Sequence, residues 1–248
     1  MRLEGKTALI TGSGRNIGRA TALALAKEGA NIVVNARSNM AEAEAVAQEV
    51  RDLGVGAIAA LADVADRAQV EDMVSKAMAE FGKVDILINN AAIRPHSAFN
   101  EATIEDWERV RGVVLDGAIY CTRAVMPSMV KNQFGRVLFF CGDGSFTGGS
   151  DRAFVSAAKT GLIGLSRSLA LEFAADNVRV NIVSPGRIDT SRDLSWYPNE
   201  NMRNTDEIPL GRLGLPEEIA AACLFLVTDD CGFITGQTLH INGGSHFG

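Results

Sequence analysis

Short runs of apolar residues alternate with helix-length amphipathic stretches from one end of the chain to the other. The runs TALIT (7–11), NIVVN (31–35), AIAAL (57–61), DILIN (85–89), RVLFF (136–140), RVNIV (179–183) and TLHIN (238–242) predict strands. The first six are rich in β-formers and apolar on both sides, the pattern of strands buried in a parallel sheet. Helices are predicted between them. RATALALAKEG runs to Gly29. Another helix starts at Asp66, with Gln69 three residues on as a capping pair, and stops near Gly82. Thr103 and Asp106 repeat that start signal, and Pro216 before Glu217 and Glu218 suits the first turn of a late helix. Repeated βα units with short connections predict an α/β fold, a Rossmann-type doubly wound parallel sheet of about seven strands with helices on both faces. One domain is expected over residues 1–248.

The exception to this rhythm is 187–213, RIDTSRDLSWYPNENMRNTDEIPLGRL. It is polar, without periodicity, and follows the C-terminal end of a strand, the edge at which such sheets bind ligands. It is expected to be a flap over a substrate, with Trp196 and Tyr197 closing on it. The alternative is an ordinary long surface loop.

Composition narrows the function. The 248 residues carry a net charge of −6, which argues against nucleic acid or an anionic membrane as the main partner. No signal-peptide pattern opens the chain, and no apolar run approaches the length of a membrane span. The four cysteines, Cys121, Cys141, Cys223 and Cys231, have neither metal-like nor disulfide-like spacing. Reduced structural thiols in a cytoplasmic protein are expected.

The first strand leads into Thr11-Gly12-Ser13-Gly14-Arg15-Asn16-Ile17-Gly18 and then a helix. Glycines let backbone approach a pyrophosphate there, and the helix N-terminus offers N–H donors. The end of the second strand reads Val34-Asn35-Ala36-Arg37-Ser38, without the carboxylate that holds a ribose 2′-hydroxyl in NAD-preferring folds. Arg37 and Ser38, with Arg15 facing them, suit a 2′-phosphate instead, so NADP(H) is the expected cofactor. The alternative is that both arginines are solvated surface charges.

These strings, in this order, resemble the short-chain dehydrogenase/reductase family over essentially the whole chain. The glycine loop is similar to the family's Thr-Gly-x-x-x-Gly-x-Gly, with Asn16 where glycine is usual; asparagine tolerates the left-handed backbone such a site needs. Asp63-Val64 resembles the adenine-contacting pair. Asn89-Asn90-Ala91-Ala92 resembles Asn-Asn-Ala-Gly, and Asn242-Gly243-Gly244 the close of the last strand. Pro185, Gly186, Ile188 and Thr190 lie in the segment that in the family reaches the nicotinamide end. The resemblance implies a homo-oligomer, dimer or tetramer, packed through the helices within 103–130 and 153–173. The pattern Leu162, Leu165, Ser166, Leu169 and Phe173 serves either core or interface.

The family's mechanism uses a tyrosine as acid or base, a lysine four residues later that also holds the nicotinamide ribose, a serine on the substrate carbonyl, and an asparagine that anchors a water. Carried over position by position, the lysine is Lys159. The tyrosine position is Val155, the serine position Gly142 and the asparagine position Val114. Three of the four are therefore expected to be lost. A positioned acid is worth about 10²–10⁴ in rate, so ordinary carbonyl chemistry should be crippled, with Lys159 retained for the cofactor. Asp143 is the first candidate replacement acid, against a solvated turn residue as the alternative; His96, against a surface histidine, is the second. Two readings stay open. One is an oxidoreductase with non-standard proton handling that reduces a C=C, C=N or activated carbonyl of a small apolar substrate. The other is a catalytically inactive NADP(H)-binding protein acting as a sensor or partner subunit.

Overall fold

A computed structural model of the chain describes residues 1–191 and 204–247. The strands are β1 (Thr7–Ile10), β2 (Asn31–Ala36), β3 (Ala57–Leu61), β4 (Ile86–Asn89), β5 (Gly135–Phe140), β6 (Val178–Pro185) and β7 (Thr238–Ile241). All seven pair in parallel in one sheet, in the order β3-β2-β1-β4-β5-β6-β7. The seven expected strands are present with small shifts at their ends, the largest at β6, which runs on to Pro185.

The helices are α1 (Asn16–Lys27), α2 (Met40–Arg51), α3 (Arg67–Phe81), α4 (Ile104–Arg111), α5 (Gly117–Lys131), the single turn α6 (Gly144–Thr147), α7 (Ala153–Glu172) and α8 (Pro216–Val227). Their ends follow the sequence signals. The Asp66 carboxylate accepts from the N–H groups of Ala68 and Gln69 at the start of α3, and Gly82 ends it at φ +75°. Thr103 and Asp106 close a reciprocal capping box on α4. Pro216 opens α8, where the Glu218 carboxylate accepts from the Leu215 N–H at 2.7 Å.

Because side chains alternate across a strand, each strand feeds two cores. Leu9, Leu87 and Phe139 pack with α3, α5 and α7 on one face. Ile10, Ile88 and Leu138 pack with α1, α2 and α8 on the other. The edge strands are only partly covered, β3 in three of its five residues and β7 throughout its accessible length. Leu162 and Ser166 are buried, and Leu165, Leu169 and Phe173 pack against the first core. That stripe of α7 thus serves the fold of a single chain. The four cysteines are buried and unpaired, and burial pushes the Cys121 and Cys223 thiols up to about 12.

α4 and α5 are joined by a π-helical segment, Gly112–Asp116, into one continuous helix of 28 residues, Ile104–Lys131. Contrary to the expectation that nothing in the chain reaches span length, this helix is long and apolar enough to cross a membrane. Half of its apolar window is buried inside the fold, as in a core helix of a folded domain. Of the expected flap, 192–203, with Trp196 and Tyr197, lie outside the described residues. Its two ends meet: the Asp189 N–H donates to the Gly214 carbonyl at 2.8 Å, and the Gly214 N–H to the Arg187 carbonyl at 3.0 Å.

Candidate active site

β1 lies between β2 and β4, so the chain runs outward from it in both directions. A crevice opens beyond the C-terminal ends of strands at such a switch point. Here it is a cleft of about 640 Å³. The glycine loop, the residues after β2 and β3, and the loop after β4 form its walls.

The loop is held by hydrogen bonds to residues from 23 to 80 positions away. The Asn35 amide oxygen accepts from the Gly12 N–H at 3.1 Å, while its NH₂ reaches the carbonyls of Ala36, Ala60 and Ala62. One buried amide therefore knits the ends of β1, β2 and β3 together. The Asn90 NH₂ donates to the carbonyls of Thr11 and Gly12 at 2.9 and 3.0 Å, and the Thr11 hydroxyl accepts from the N–H groups of Asn90 and Ala91. A Cβ on Gly18 would lie 2.5 Å from the Gly12 carbonyl oxygen, so only glycine lets α1 start this close to the loop.

Asn16 takes φ +50°, the left-handed backbone that its place in the loop demands. The first turn of α1 has no side-chain cap and no acidic residue. Its N–H groups and dipole are free to meet an anion in the cleft.

Of the residues expected to bind a cofactor, Gly12, Gly14, Arg15, Asn16, Ile17, Gly18, Arg37, Ser38, Asp63, Val64, Asn90, Ala91, Ala92 and Thr190 line this one cleft. The Thr190 hydroxyl is buried without a hydrogen-bond partner among the described residues. Other expected residues fall elsewhere. Ser13 is fully buried, its hydroxyl donating to the Ile10 carbonyl at 2.7 Å and accepting from the Asn35 N–H at 3.0 Å, so it supports the loop from behind. Gly186 packs on β7, where a Cβ would lie 2.7 Å from the Asn242 Cα. Ile188 rests against Gly214, and Pro185 ends β6.

Lys159 also departs from expectation. Its ammonium is buried and donates to the carbonyls of Phe140 at 2.9 Å and Cys141 at 2.7 Å, so in this structure it caps the end of β5. Val155 and Val114 are buried and apolar, and Val114 sits within the π-helical segment. Gly142 has φ +156° and space around its missing Cβ, the nearest atom being the Pro185 carbonyl oxygen at 3.5 Å. Asp143, the candidate acid, has both oxygens engaged as acceptors, from the Ser245 hydroxyl at 2.6 Å and the Asn242 amide at 3.2 Å. Asp143 holds the C-terminal tail and does not line the described cleft.

Sequence reasoning missed several residues. Glu42, one turn into α2, lines the cleft with its carboxylate 3.9 Å from the Arg15 guanidinium. Arg94, Arg109 and Arg152 line it together with His96. The guanidinium of Arg152 touches the His96 Nε2. Burial, followed by the charge of Arg152, holds the His96 pKa below its ordinary value. The apolar substrate expected from Val155 is at odds with this basic wall.

A family model described as enoyl-(acyl carrier protein) reductase matches residues 12–246. The 3-oxoacyl-[acyl-carrier-protein] reductase FabG of Escherichia coli K12 is 39% identical over 247 residues, 99% of each chain. A chain from Sinorhizobium meliloti 1021, proposed to be a short-chain alcohol dehydrogenase, superposes with a TM-score of 0.93 at 31% identity, covering 98% of this chain and 97% of that one. A gluconate 5-dehydrogenase from Burkholderia cenocepacia J2315, solved in complex with NADP and tartrate, gives 0.92 at 33% identity, with 98% and 96% covered.

Proposed function

The chain belongs to the short-chain dehydrogenase/reductase family of oxidoreductases, and from that premise we propose that it is an NADP(H)-dependent reductase whose acceptor needs no phenol beside it. Such an acceptor is a C=C, a C=N or an activated carbonyl. The carrying observation is a nucleotide cleft with a full complement of loop, helix end and wall, in a chain whose residue 155, three positions after the cleft residue Arg152, is a buried valine.

The residues fit the cofactor. The uncapped first turn of α1, with Gly12 and Gly14, would hold the pyrophosphate. Arg37, Ser38 and Arg15 would hold a 2′-phosphate, Asp63 and Val64 the adenine, and Ala91, Ala92 and the Thr190 hydroxyl, without a partner among the described residues, the nicotinamide end. The gluconate 5-dehydrogenase was solved with NADP, which supports the choice of phosphate-bearing cofactor. When bound, the nicotinamide supplies the hydride. The protein orients the acceptor. Neither Val155 nor Val114 can move a proton, and Asp143 is engaged as an acceptor. A solvent proton suits an acceptor that gains it at carbon or nitrogen after the hydride is delivered.

Single-turnover oxidation of bound NADPH against panels of ketones, enones and imines tests this. Consumption with enones or imines, and little with simple ketones, is expected. Ordinary turnover with simple ketones would refute the proton argument. Tight NADPH binding without oxidation by any panel would leave the non-catalytic reading in its place. Association into a dimer or tetramer is part of the same proposal, by likeness to the family, and is read by sedimentation.

A further inference from the structure

The two sides of the cleft differ in charge: the glycine-loop and β2–β3 side mixes Arg15 and Arg37 with carboxylates, and the other side does not. The cleft's acidic lining residues among those described, Glu42 and Asp63, follow β2 and β3. On the opposite side of β1, after β4 and β5, the ionisable lining among the described residues is basic: Arg94, His96, Arg109 and Arg152. In a chain of net charge −6, this concentration is against the average.

The wall is also built. Its members come from three segments, the loop after β4, the helix α4 and the residue before α7. The Ser97 N–H donates to the Asp151 carbonyl at 2.9 Å, tying the first segment to the third. The Phe154 ring meets Phe99 at 5.9 Å and Trp107 at 5.6 Å between centroids, which fixes α4 against the start of α7. A guanidinium has no acceptor, so a hydrogen bond from Arg152 to the His96 Nε2 needs the neutral ring. Burial and the charge of Arg152 both favour that neutral form, in which His96 adds no charge of its own. Asp151 is the carboxylate that faces His96, and it opposes the depressing effects of Arg152 and Arg94.

We propose that this wall is a subsite for a carboxylate carried by the substrate. Arginine forks match the two oxygens of a carboxylate, and charge on the walls of a cleft concentrates the opposite charge within it. The subsite lies on the β4–β5 side, where Val155 stands, so the substrate would be held by its anionic end with its reducible bond at the apolar corner. The inference rests on reading the cleft as a reductase site. It names the substrate class for that site: short unsaturated or oxo acids.

The probes are monocarboxylic acids of two to eight carbons and their primary amides, titrated by calorimetry into protein already saturated with NADPH. At least one acid should bind about tenfold or more tightly than its amide, and Arg109→Gln with Arg152→Gln should erase that preference, acid and amide being compared at NADPH concentrations that saturate each protein. Equal binding of acids and amides, or a preference that survives the double variant, overturns the proposal. Should the double variant not fold, the wild-type His96 ring resonances decide: they must move on addition of acid and stay still with amide. If NADPH itself does not bind, the reductase reading fails separately. The same titrations on the free protein then still judge the carboxylate subsite, by the same two criteria.

Discussion

The Asn16 side chain grips Ser191 from across the cleft: its carbonyl oxygen accepts from the Ser191 N–H at 3.0 Å and hydroxyl at 2.8 Å, and its NH₂ donates to the Ser191 carbonyl at 3.1 Å. The same residue holds φ +50° in the glycine loop. Asparagine thus does there what glycine does for the backbone and adds a clasp that glycine lacks. Asn16→Ala loses the clasp and is strained; Asn16→Gly loses only the clasp. The alanine variant should be less stable than the glycine variant by about 1 kcal/mol, read from urea unfolding of both. Equal stabilities would mean that the loop relaxes away from the left-handed region.

Phosphate selectivity should depend on two residues of opposite sign. Arg37→Ala is expected to weaken NADPH by about tenfold and leave NADH nearly unchanged, since the lost interaction is with the 2′-phosphate. Glu42→Gln should strengthen NADPH several-fold, because it removes a carboxylate close to Arg15. Fluorescence titration of wild type and both variants with each cofactor measures both. A drop in NADH affinity equal to that in NADPH would remove Arg37 from the phosphate site.

Lys159 separates a structural role from a binding role. With two charge-assisted bonds to the carbonyls of Phe140 and Cys141, Lys159→Met should cost about 2 kcal/mol or more of stability. Unfolding and NADPH titration are to be run on the same preparation. Unchanged stability with weakened NADPH would instead assign the ammonium to the ribose.

The proposed loss of the family's acid is tested by putting it back, against two obstacles. Val155 is buried, so tyrosine there costs about 1–3 kcal/mol in overpacking. Gly142 stands at φ +156°, so serine there must turn the backbone. Val155→Tyr with Gly142→Ser is still expected to raise ketone reduction by at least about tenfold, a small share of what a positioned acid supplies. The steady-state rate with a simple ketone measures it, and a fall in rate from a well-folded variant would go against the prediction.

His96 gives a pH signature. Its pKa is depressed, so it is neutral at pH 7, and the stability tied to its neutral form is lost as pH falls through that lowered value. By ring-proton NMR it should titrate below the ordinary 6.5, and Arg152→Gln should raise the midpoint. No movement in the variant would leave burial and Arg94 as the causes.

The strands and most helix ends were legible because they are set by local signals. TALIT and DILIN announce buried strands by composition alone, and Asp66, Gly82, Thr103 and Pro216 act within a turn of where they stand. The glycine loop was legible for the same reason. What stayed hidden depends on packing. Nothing in NIVVN says that its asparagine will reach three strand ends. Lys159 turns onto β5 through a contact 18 to 19 residues away, and Asp143 meets Ser245 across 102. The basic wall gathers from three segments whose meeting depends on Phe154 and its ring neighbours. The length of the α4–α5 helix was missed because its polar first turns break the apolar run that a span search looks for.

The Thr11 hydroxyl, which accepts from backbone donors up to 80 residues later, also bears on how the protein comes into being. During synthesis the glycine loop emerges early but stays unfinished until β4 arrives to dock on β1. Parallel pairing at this separation forms slowly, because loop closure is required before contacts reward it. Until then β1 presents an unpaired apolar edge, the kind of surface that aggregates. A nucleotide that binds only the finished loop favours the docked state by mass action, so cofactor supplied during refolding should raise the yield of native protein without a single turnover.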